Sequence, residues 1–125
     1  MALVDLVKNW LSTAGYEYDV DNDGDIHFKH EGLHIYFTVD QNDKSFFRLI
    51  MPGIYQVENN RVRVLEAACK VTGEFKVLKA FLVEDNLWLT IEMFLGTSPE
   101  IKDFFPRCLT LMKKGREMIA KEIFD

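Results

Sequence analysis

The sequence has little of the residues that mark unusual classes of chain: two cysteines, three prolines and seven glycines among 125 residues. So few cysteines exclude a disulfide scaffold, and so little proline and glycine excludes a collagen-like or low-complexity chain. No apolar run approaches the roughly 18 residues of a membrane span, and no glycine-rich nucleotide loop or Walker loop occurs. The remaining composition, 48% hydrophobic and 28% charged, is typical of one globular domain, which we expect to cover residues 1–125.

The balance of charge is acidic. Fifteen lysines and arginines stand against twenty aspartates and glutamates, for a net charge of −5. This is the wrong sign for a domain that neutralises many phosphates, so we expect no nucleic-acid partner. Cys69 and Cys108 lie among apolar neighbours at helical spacing, where free thiols behave as small hydrophobes, and we expect both to be buried. Free thiols and an N-terminus without a basic region favour the cytoplasm, with no membrane partner.

Apolar periodicity predicts three helices that separate two groups of strands. Residues 3–14 and 60–74 repeat apolar side chains at helical spacing, and a third stripe runs from Ile101 to Ile123. Alternation with a period of two predicts strands within residues 16–20, 26–30, 33–39, 45–51, 77–83 and 87–95. The first group should form a meander of three or four strands, and the last two runs a hairpin. We therefore predict an α+β fold with an antiparallel sheet, in the order α-β-β-β-α-β-β-α.

Glycine and proline predict where these elements end. Gly15 should end the first helix in the left-handed conformation, and Pro52–Gly53 should stop the strand that precedes it. Ser98–Pro99 combines a hydroxyl cap with a proline at the first helical position, which predicts the start of the last helix. Pro106 lies too deep for the first turn, so we expect a kink or a short lead-in helix before it.

The last hairpin is predicted to be apolar on both faces. One face carries Leu87, Leu89, Ile91 and Met93, and the other carries Trp88 and Phe94. The second face needs the C-terminal helix, a partner subunit or a client segment to cover it, because large exposed apolar patches mark interaction sites. As anchors for a partner we expect the aromatic side chains of Trp88, Phe94, Phe81 and Tyr36. Plain core packing is the alternative for each of them.

An acidic turn supports a second hypothesis. Residues 19–26 match positions 1, 3, 5, 6 and 8 of a calcium-loop template. Position 12 should be a bidentate glutamate but is His30, and the flanking residues alternate like strands. A hairpin turn explains the same residues, with Gly24 in the left-handed region and aspartates bonded to backbone N–H groups. The alternative function is a small-ligand or metal-ion sensor that uses residues 19–25, with or without His27.

The three histidines, His27, His30 and His34, fall within eight residues. If Glu31–Gly32 is a two-residue turn, His27 and His34 share one face of the hairpin and His30 lies on the other. A zinc site would need a third ligand, for which Asp25 is the nearby candidate. We therefore favour ordinary polar-face histidines and assign no metal.

Residues for catalysis are also missing from the pattern. Neither cysteine has a histidine in its own element, and no serine lies in a nucleophile-elbow motif. The carboxylates of Glu84, Asp85 and Glu92 fit turn or rim positions. We predict a protein that is not an enzyme and that needs no cofactor.

In addition to these residue patterns, the chain resembles the YbjN-like bacterial proteins, a family of sensory transduction regulators whose fold is like that of type III secretion chaperones. The resemblance covers nearly the whole chain and rests on Gly15–Tyr16, Asp23–Phe28, Phe46–Leu49 running to Pro52, Glu58–Arg61, Val64–Ala68, Lys76, Lys79 and Glu92. It implies a non-catalytic domain that binds protein segments or acts in regulation, with a homodimer as one option. We expect a regulator or chaperone-like module that holds a client or partner segment on an exposed apolar sheet face.

Overall fold

Three helices and six strands make up the computed structural model, which describes residues 2–125. In chain order they are α1 (Leu3–Thr13), β1 (Tyr18–Val20), β2 (Ile26–His30), β3 (Leu33–Phe37), β4 (Phe46–Gln56), α2 (Arg61–Glu74), β5 (Leu78–Val83), β6 (Asn86–Phe94) and α3 (Ile101–Phe124). Every strand pair is antiparallel, and the order across the sheet is β1-β2-β3-β4-β6-β5.

The α+β class with an antiparallel sheet is confirmed. Four strands precede α2, where three or four were expected. The observed order is therefore α-β-β-β-β-α-β-β-α, with one strand more than the predicted order. The shortest of the four is the three-residue β1, which lies within the predicted run 16–20 and pairs with β2 across the acidic turn through Tyr18↔Phe28, Asp19↔His27 and Val20↔Ile26. Among residues 2–125 no helix is both long enough and apolar enough to cross a bilayer.

The hydrophobic core lies between the three helices and one face of the sheet, which we call the inner face. Alternate residues of the strands point into it, as the period of two requires; the fully buried ones include Ile26, Phe28, Ile35, Phe47, Leu49, Leu87, Leu89 and Ile91. Trp10 of α1 packs on Phe105 of α3 with ring centroids 4.6 Å apart. Each such buried side chain stabilises the fold by about 1.5–3 kcal/mol.

Gly15 ends α1 as predicted. Its φ of +88° is in the left-handed region, where a residue without a Cβ is not strained. The backbone N–H of Tyr16 then donates to the Leu11 carbonyl at 2.8 Å, and that of Gly15 to Ser12 at 3.2 Å. These bonds satisfy carbonyls at the helix end that have no partner within the helix.

Strand β4 corrects the expectation that Pro52–Gly53 would stop it. The strand continues to Gln56, and its register with β6 shifts between Met51 and Tyr55. Gly53 has a φ of +58° within this irregularity. A β-bulge accommodates a proline because the bulged residue leaves the hydrogen-bonded ladder, so the two residues bend the strand without ending it.

Helix α3 differs from its predicted start. It begins at Ile101, and its N-cap Glu100 makes no side-chain capping bond, so Ser98–Pro99 lies before the helix. No short lead-in helix is present in the described chain, since α3 is continuous across Pro106. The proline removes one intrahelical N–H donor, while the buried Phe105 and Cys108 beside it hold the helix against the sheet.

Cys69 is exposed, against the expectation that both cysteines are buried; Cys108 is buried. The buried stripe of α2 consists of Val64, Ala67, Ala68 and Val71. Cys69 comes one position after Ala68 of this stripe. A helical step of one residue turns the side chain through about 100°, which directs Cys69 toward solvent.

Candidate functional site

The side of the sheet opposite the helices, here called the outer face, is open among the described residues. Its side chains come from the strand positions that alternate with the core, and they take no part in the core cluster. Phe94 is 76% exposed, and Tyr36, Phe81 and Trp88 are half-buried. Helix α3 packs in the core of the inner face, so it does not wrap the outer face.

Two aromatic pairs stand on the outer face, and each takes one member from β6. Phe94 faces Phe46 of β4 with ring centroids 5.7 Å apart. Trp88 faces Phe81 of β5 at 6.5 Å. Trp88 and Phe94 are six positions apart on β6, which corresponds to about 20 Å along an extended strand. The outer face therefore offers two aromatic contact points on one line.

Tyr36 lies on the same face but apart from these pairs. Its Cα partner on β4 is Ile50, whose own partner on β6 is Thr90, so strand β4 lies between the tyrosine and the Trp88–Phe81 pair. The Tyr36 ring instead packs against His27, with centroids 4.8 Å apart. Of the four predicted anchors, three belong to the aromatic pairs and Tyr36 does not. Phe46 was missed by the sequence analysis, because its role depends on the long-range pairing of β4 with β6.

A charged cluster lies between the two aromatic pairs. Glu92 accepts hydrogen bonds from Lys79 Nζ at 2.9 Å and from Thr90 Oγ1 at 2.8 Å. Burial by itself raises the pKa of the Glu92 carboxyl, but these bonds and the charges of Lys79 and Arg48 outweigh it and hold the pKa below its ordinary value. Glu92 is thus an anion on the open face.

Arg48 is the Cα partner of Glu92 across the β4–β6 ladder. Its Nε atom is buried and has no hydrogen-bond partner among the described residues. A buried donor left without a partner costs about 1–3 kcal/mol. Arg48 and Lys79 together outweigh the single charge of Glu92, so the centre of the outer face favours an acidic group.

The histidines are arranged as predicted, except for the carboxylate beside them. His27 and His34 share the outer face and are joined by a contact of 2.7 Å between Nε2 and Nδ1. His30 turns to the other side, where its Nδ1 lies 2.7 Å from the hydroxyl of Tyr16. The carboxylate next to His27 belongs to Asp19, at 3.0 Å from Nδ1, and not to Asp25.

The acidic turn is held by its own aspartates. The carboxylate of Asp21 accepts the backbone N–H groups of Asp23 at 2.9 Å and Asp25 at 3.1 Å. Asp25 accepts the N–H of Val39 at 2.9 Å. One carboxylate oxygen from each of the three aspartates lies within 4.8 Å of the others. These bonds are those of a capped turn, and nothing in them supports the sensor hypothesis.

The groups considered for catalysis lie apart. Asp85 pairs with Arg61 at 3.0 Å in the β5–β6 turn, whereas Glu92 lies toward the other end of β6 in the cluster with Lys79. Burial raises the pKa of the Cys108 thiol to about 11, which keeps it protonated and weakly nucleophilic at neutral pH.

A cavity of about 570 Å³ opens beside the outer face, between the start of α1 and the β3–β4 loop. Its walls are mainly apolar and include Leu3, Val4, Phe37, Val39 and Phe46. Phe46 is therefore both a wall of this cavity and one member of an aromatic pair.

Comparison with known proteins agrees with this architecture. Residues 2–112 match the family described as T3SS (YopN, CesT) and YbjN peptide-binding chaperone 1. The chain belongs to this family. The resemblance to YbjN-like proteins is thereby confirmed, and the family is one of peptide-binding chaperones. No curated protein matches the sequence significantly.

Two solved structures share the fold. One is YbjN from E. coli, a proposed transcription regulator, with a TM-score of 0.68, 14% identity and coverage of 97% of this chain and 93% of that one. The other is an uncharacterized protein from Methanothermobacter thermautotrophicus, with a TM-score of 0.70, 14% identity and coverage of 95% and 94%. At this identity the similarity establishes the fold alone.

Proposed function

We propose that the protein binds an extended segment of another protein on the outer face and acts as a chaperone-like module without catalysis. The observation that carries this proposal is the open sheet face with two aromatic pairs, in which Phe94 is 76% exposed. Exposed aromatic side chains of this kind supply large contact area at low conformational cost. Membership of a family of peptide-binding chaperones supports the same occupant.

The geometry selects the chemistry of the segment. Because the two contact points lie six residues apart on β6, an extended segment that runs parallel to this strand presents apolar side chains at i and i+6 to both pairs. Alternation places i+2 and i+4 on the same side of the segment, over the charged cluster. An aspartate or glutamate there would be attracted by the positive charges of Arg48 and Lys79, which outnumber the single negative charge of Glu92.

Binding across the face is favoured over strand addition at the β5 edge. At that edge the backbone N–H of Ala80 donates to Thr72 Oγ1 at 3.0 Å, and the Thr72 hydroxyl reaches the Ala80 carbonyl at 3.5 Å. Strand addition needs unpaired backbone groups, and helix α2 already engages these two. Side-chain contacts on the face need no such groups.

The test is selection of a displayed random peptide library on the immobilised protein, followed by affinity measurements with a selected peptide. We expect selected peptides to carry apolar residues six positions apart with an acidic residue between them. Phe94→Ala should weaken binding about fivefold or more, since such a contact contributes about 1 kcal/mol or more. Phe124→Ala is the matched control, because Phe124 is a phenylalanine of 71% exposure at the end of α3.

Further variants separate the parts of the proposal. Arg48→Gln should weaken the binding of acidic peptides more than that of their amide analogues. Trp88→Ala should weaken binding while the circular dichroism signal of the helices is kept.

The proposal is wrong if Phe94→Ala and Phe124→Ala bind equally well. It is also wrong if light scattering shows a dimer that Phe94→Ala dissociates, since a second copy would then cover the face.

A further inference from the structure

The side chains of Asp19, His27 and His34 form a hydrogen-bonded row on the outer face. Asp19 and His27 are Cα partners across β1 and β2, and His34 is diagonal to His27 across β2 and β3. The contacts are Asp19 Oδ1 to His27 Nδ1 at 3.0 Å and His27 Nε2 to His34 Nδ1 at 2.7 Å. Three adjacent strands thus present one carboxylate and two imidazoles in sequence.

The carboxylate sets the hydrogen on His27. A carboxylate only accepts, so His27 Nδ1 carries the hydrogen that Asp19 receives. In the neutral ring, Nε2 then holds a lone pair, which points toward His34. In metal sites, a carboxylate commonly accepts a hydrogen bond from the imidazole nitrogen that does not bind the metal. This hydrogen bond orients the histidine and makes the metal-binding nitrogen more basic.

The two imidazoles direct their nitrogens at one point. The ring planes differ by only 9°, and the centroids are 5.0 Å apart. The distance between the ring centroids exceeds the nitrogen–nitrogen distance of 2.7 Å by about two ring radii. The two nitrogens therefore lie on the line between the centroids, and the rings meet edge to edge in nearly one plane. Lone pairs of imidazole lie in the ring plane, so the lone pair of His27 Nε2 points at His34 Nδ1, which carries the hydrogen of this contact.

We infer that His27 Nε2 and His34 Nδ1 form a binding site for a divalent transition-metal ion, with Asp19 as the group that orients His27. Metal–nitrogen bonds of about 2.0–2.1 Å at a tetrahedral angle need the two nitrogens roughly 3.3 Å apart, with their lone pairs turned toward the metal and no longer toward each other. His34 is exposed, so rotation of its side chain supplies the difference. The metal takes the place of the shared hydrogen, which moves by way of solvent from His34 Nδ1 to His34 Nε2, so that both rings stay neutral.

The ligand set selects the class of metal. Two imidazoles suit Zn²⁺, Ni²⁺ and Cu²⁺, whereas Ca²⁺ and Mg²⁺ require oxygen ligands. Lys29, the Cα partner of His34, brings one positive charge that Asp19 offsets. Two protein ligands leave the remaining coordination positions to water. The site is independent of the proposed peptide contacts, which use β4, β5 and β6.

The test is calorimetric titration of the chain, without a polyhistidine tag, with ZnCl₂ and separately with CuCl₂ and CaCl₂. We expect one Zn²⁺ per chain, tighter binding of Cu²⁺, and no heat with Ca²⁺. Asp19→Asn should weaken Zn²⁺ binding about 10–100-fold. His27→Gln and His34→Gln should weaken it at least as much, because each removes a ligand.

His30→Gln is the matched control, since His30 lies in the same hairpin but contacts Tyr16 on the opposite side. It should bind Zn²⁺ as the unaltered chain does. The inference is overturned if the unaltered chain shows no Zn²⁺ binding, or if His27→Gln binds Zn²⁺ unchanged while Asp21→Asn does not, which would place the ion at the acidic turn. Histidine side-chain resonances in NMR spectra provide a second measurement: those of His27 and His34 should shift with Zn²⁺ and those of His30 should not.

Discussion

Gly115 and Gly73 are helical glycines with opposite surroundings. A Cβ built on Gly115 of α3 would collide with Leu78 Cδ2 and lie 3.6 Å from Val71 Cγ1. Leu78 is itself buried, so it has little room to move. A Cβ built on Gly73 of α2 meets nothing within 4 Å. Gly115 therefore allows α3 to approach β5 and α2 closely, whereas Gly73 has no such role.

This contrast predicts opposite effects of the same substitution. Gly73→Ala should stabilise the protein by roughly 0.5–1 kcal/mol, because alanine favours the helix. Gly115→Ala gains the same preference but overpacks the core at a cost of about 1–3 kcal/mol, and we expect net destabilisation. Urea denaturation of both variants gives the free energy of unfolding. A Gly115→Ala variant more stable than the unaltered chain would contradict the close approach.

At the scale of the elements, local sequence patterns are sufficient to predict the helices and the hairpin whose contacts are close in sequence. The bounds of α1 and α2 and the β2–β3 hairpin follow from periodicity, Gly15 and the Glu31–Gly32 turn. Pro52–Gly53 was misjudged because a proline ends a strand only when its missing N–H is needed in the ladder, and a bulge removes that need. Ser98–Pro99 has the chemistry of a helix start, yet the apolar stripe that packs on the sheet begins at Ile101.

In the candidate site, too, local patterns predict the position of some residues and not of others. The outer-face positions of Trp88, Phe81 and Phe94 follow from alternation along one hairpin. Phe46 and Arg48 depend on the pairing of β4 with β6, which lie on either side of α2, and Asp19 beside His27 depends on pairing across the acidic turn. A single sequence contains no local signal for these registers.

Helix α2 protects the β5 edge through Thr72, and this predicts the effect of Thr72→Val. The variant keeps the shape of the side chain but removes the oxygen that receives the Ala80 N–H. We expect a loss of about 1 kcal/mol in stability and faster hydrogen exchange of the Ala80 amide. Thr110→Val is the control, because the Thr110 hydroxyl bonds only within its own helix, to the Pro106 carbonyl at 3.2 Å. Unchanged exchange at Ala80 would show that the edge is protected by other means.

At the scale of the whole molecule, the two thiols differ in access. Cys69 is exposed, and Cys108 is buried in the core with a pKa raised to about 11. In native buffer, iodoacetamide should therefore alkylate Cys69 and leave Cys108 intact. In the Cys69→Ser variant the labelling of Cys108 should follow the unfolding of the domain as urea is raised. Labelling of Cys108 in native buffer as fast as that of Cys69 would mean that the core opens locally around α3.

Both aromatic pairs of the outer face take one member from β6, which follows the other five strands in the chain. During synthesis the ribosome releases residues 1–85 before this strand appears, and β4 and β5 then have no neighbour between them. The surface proposed to hold a client therefore comes into existence only after residues 86–94 have left the ribosome. A nascent chain that stops before β6 cannot engage a client through paired anchors.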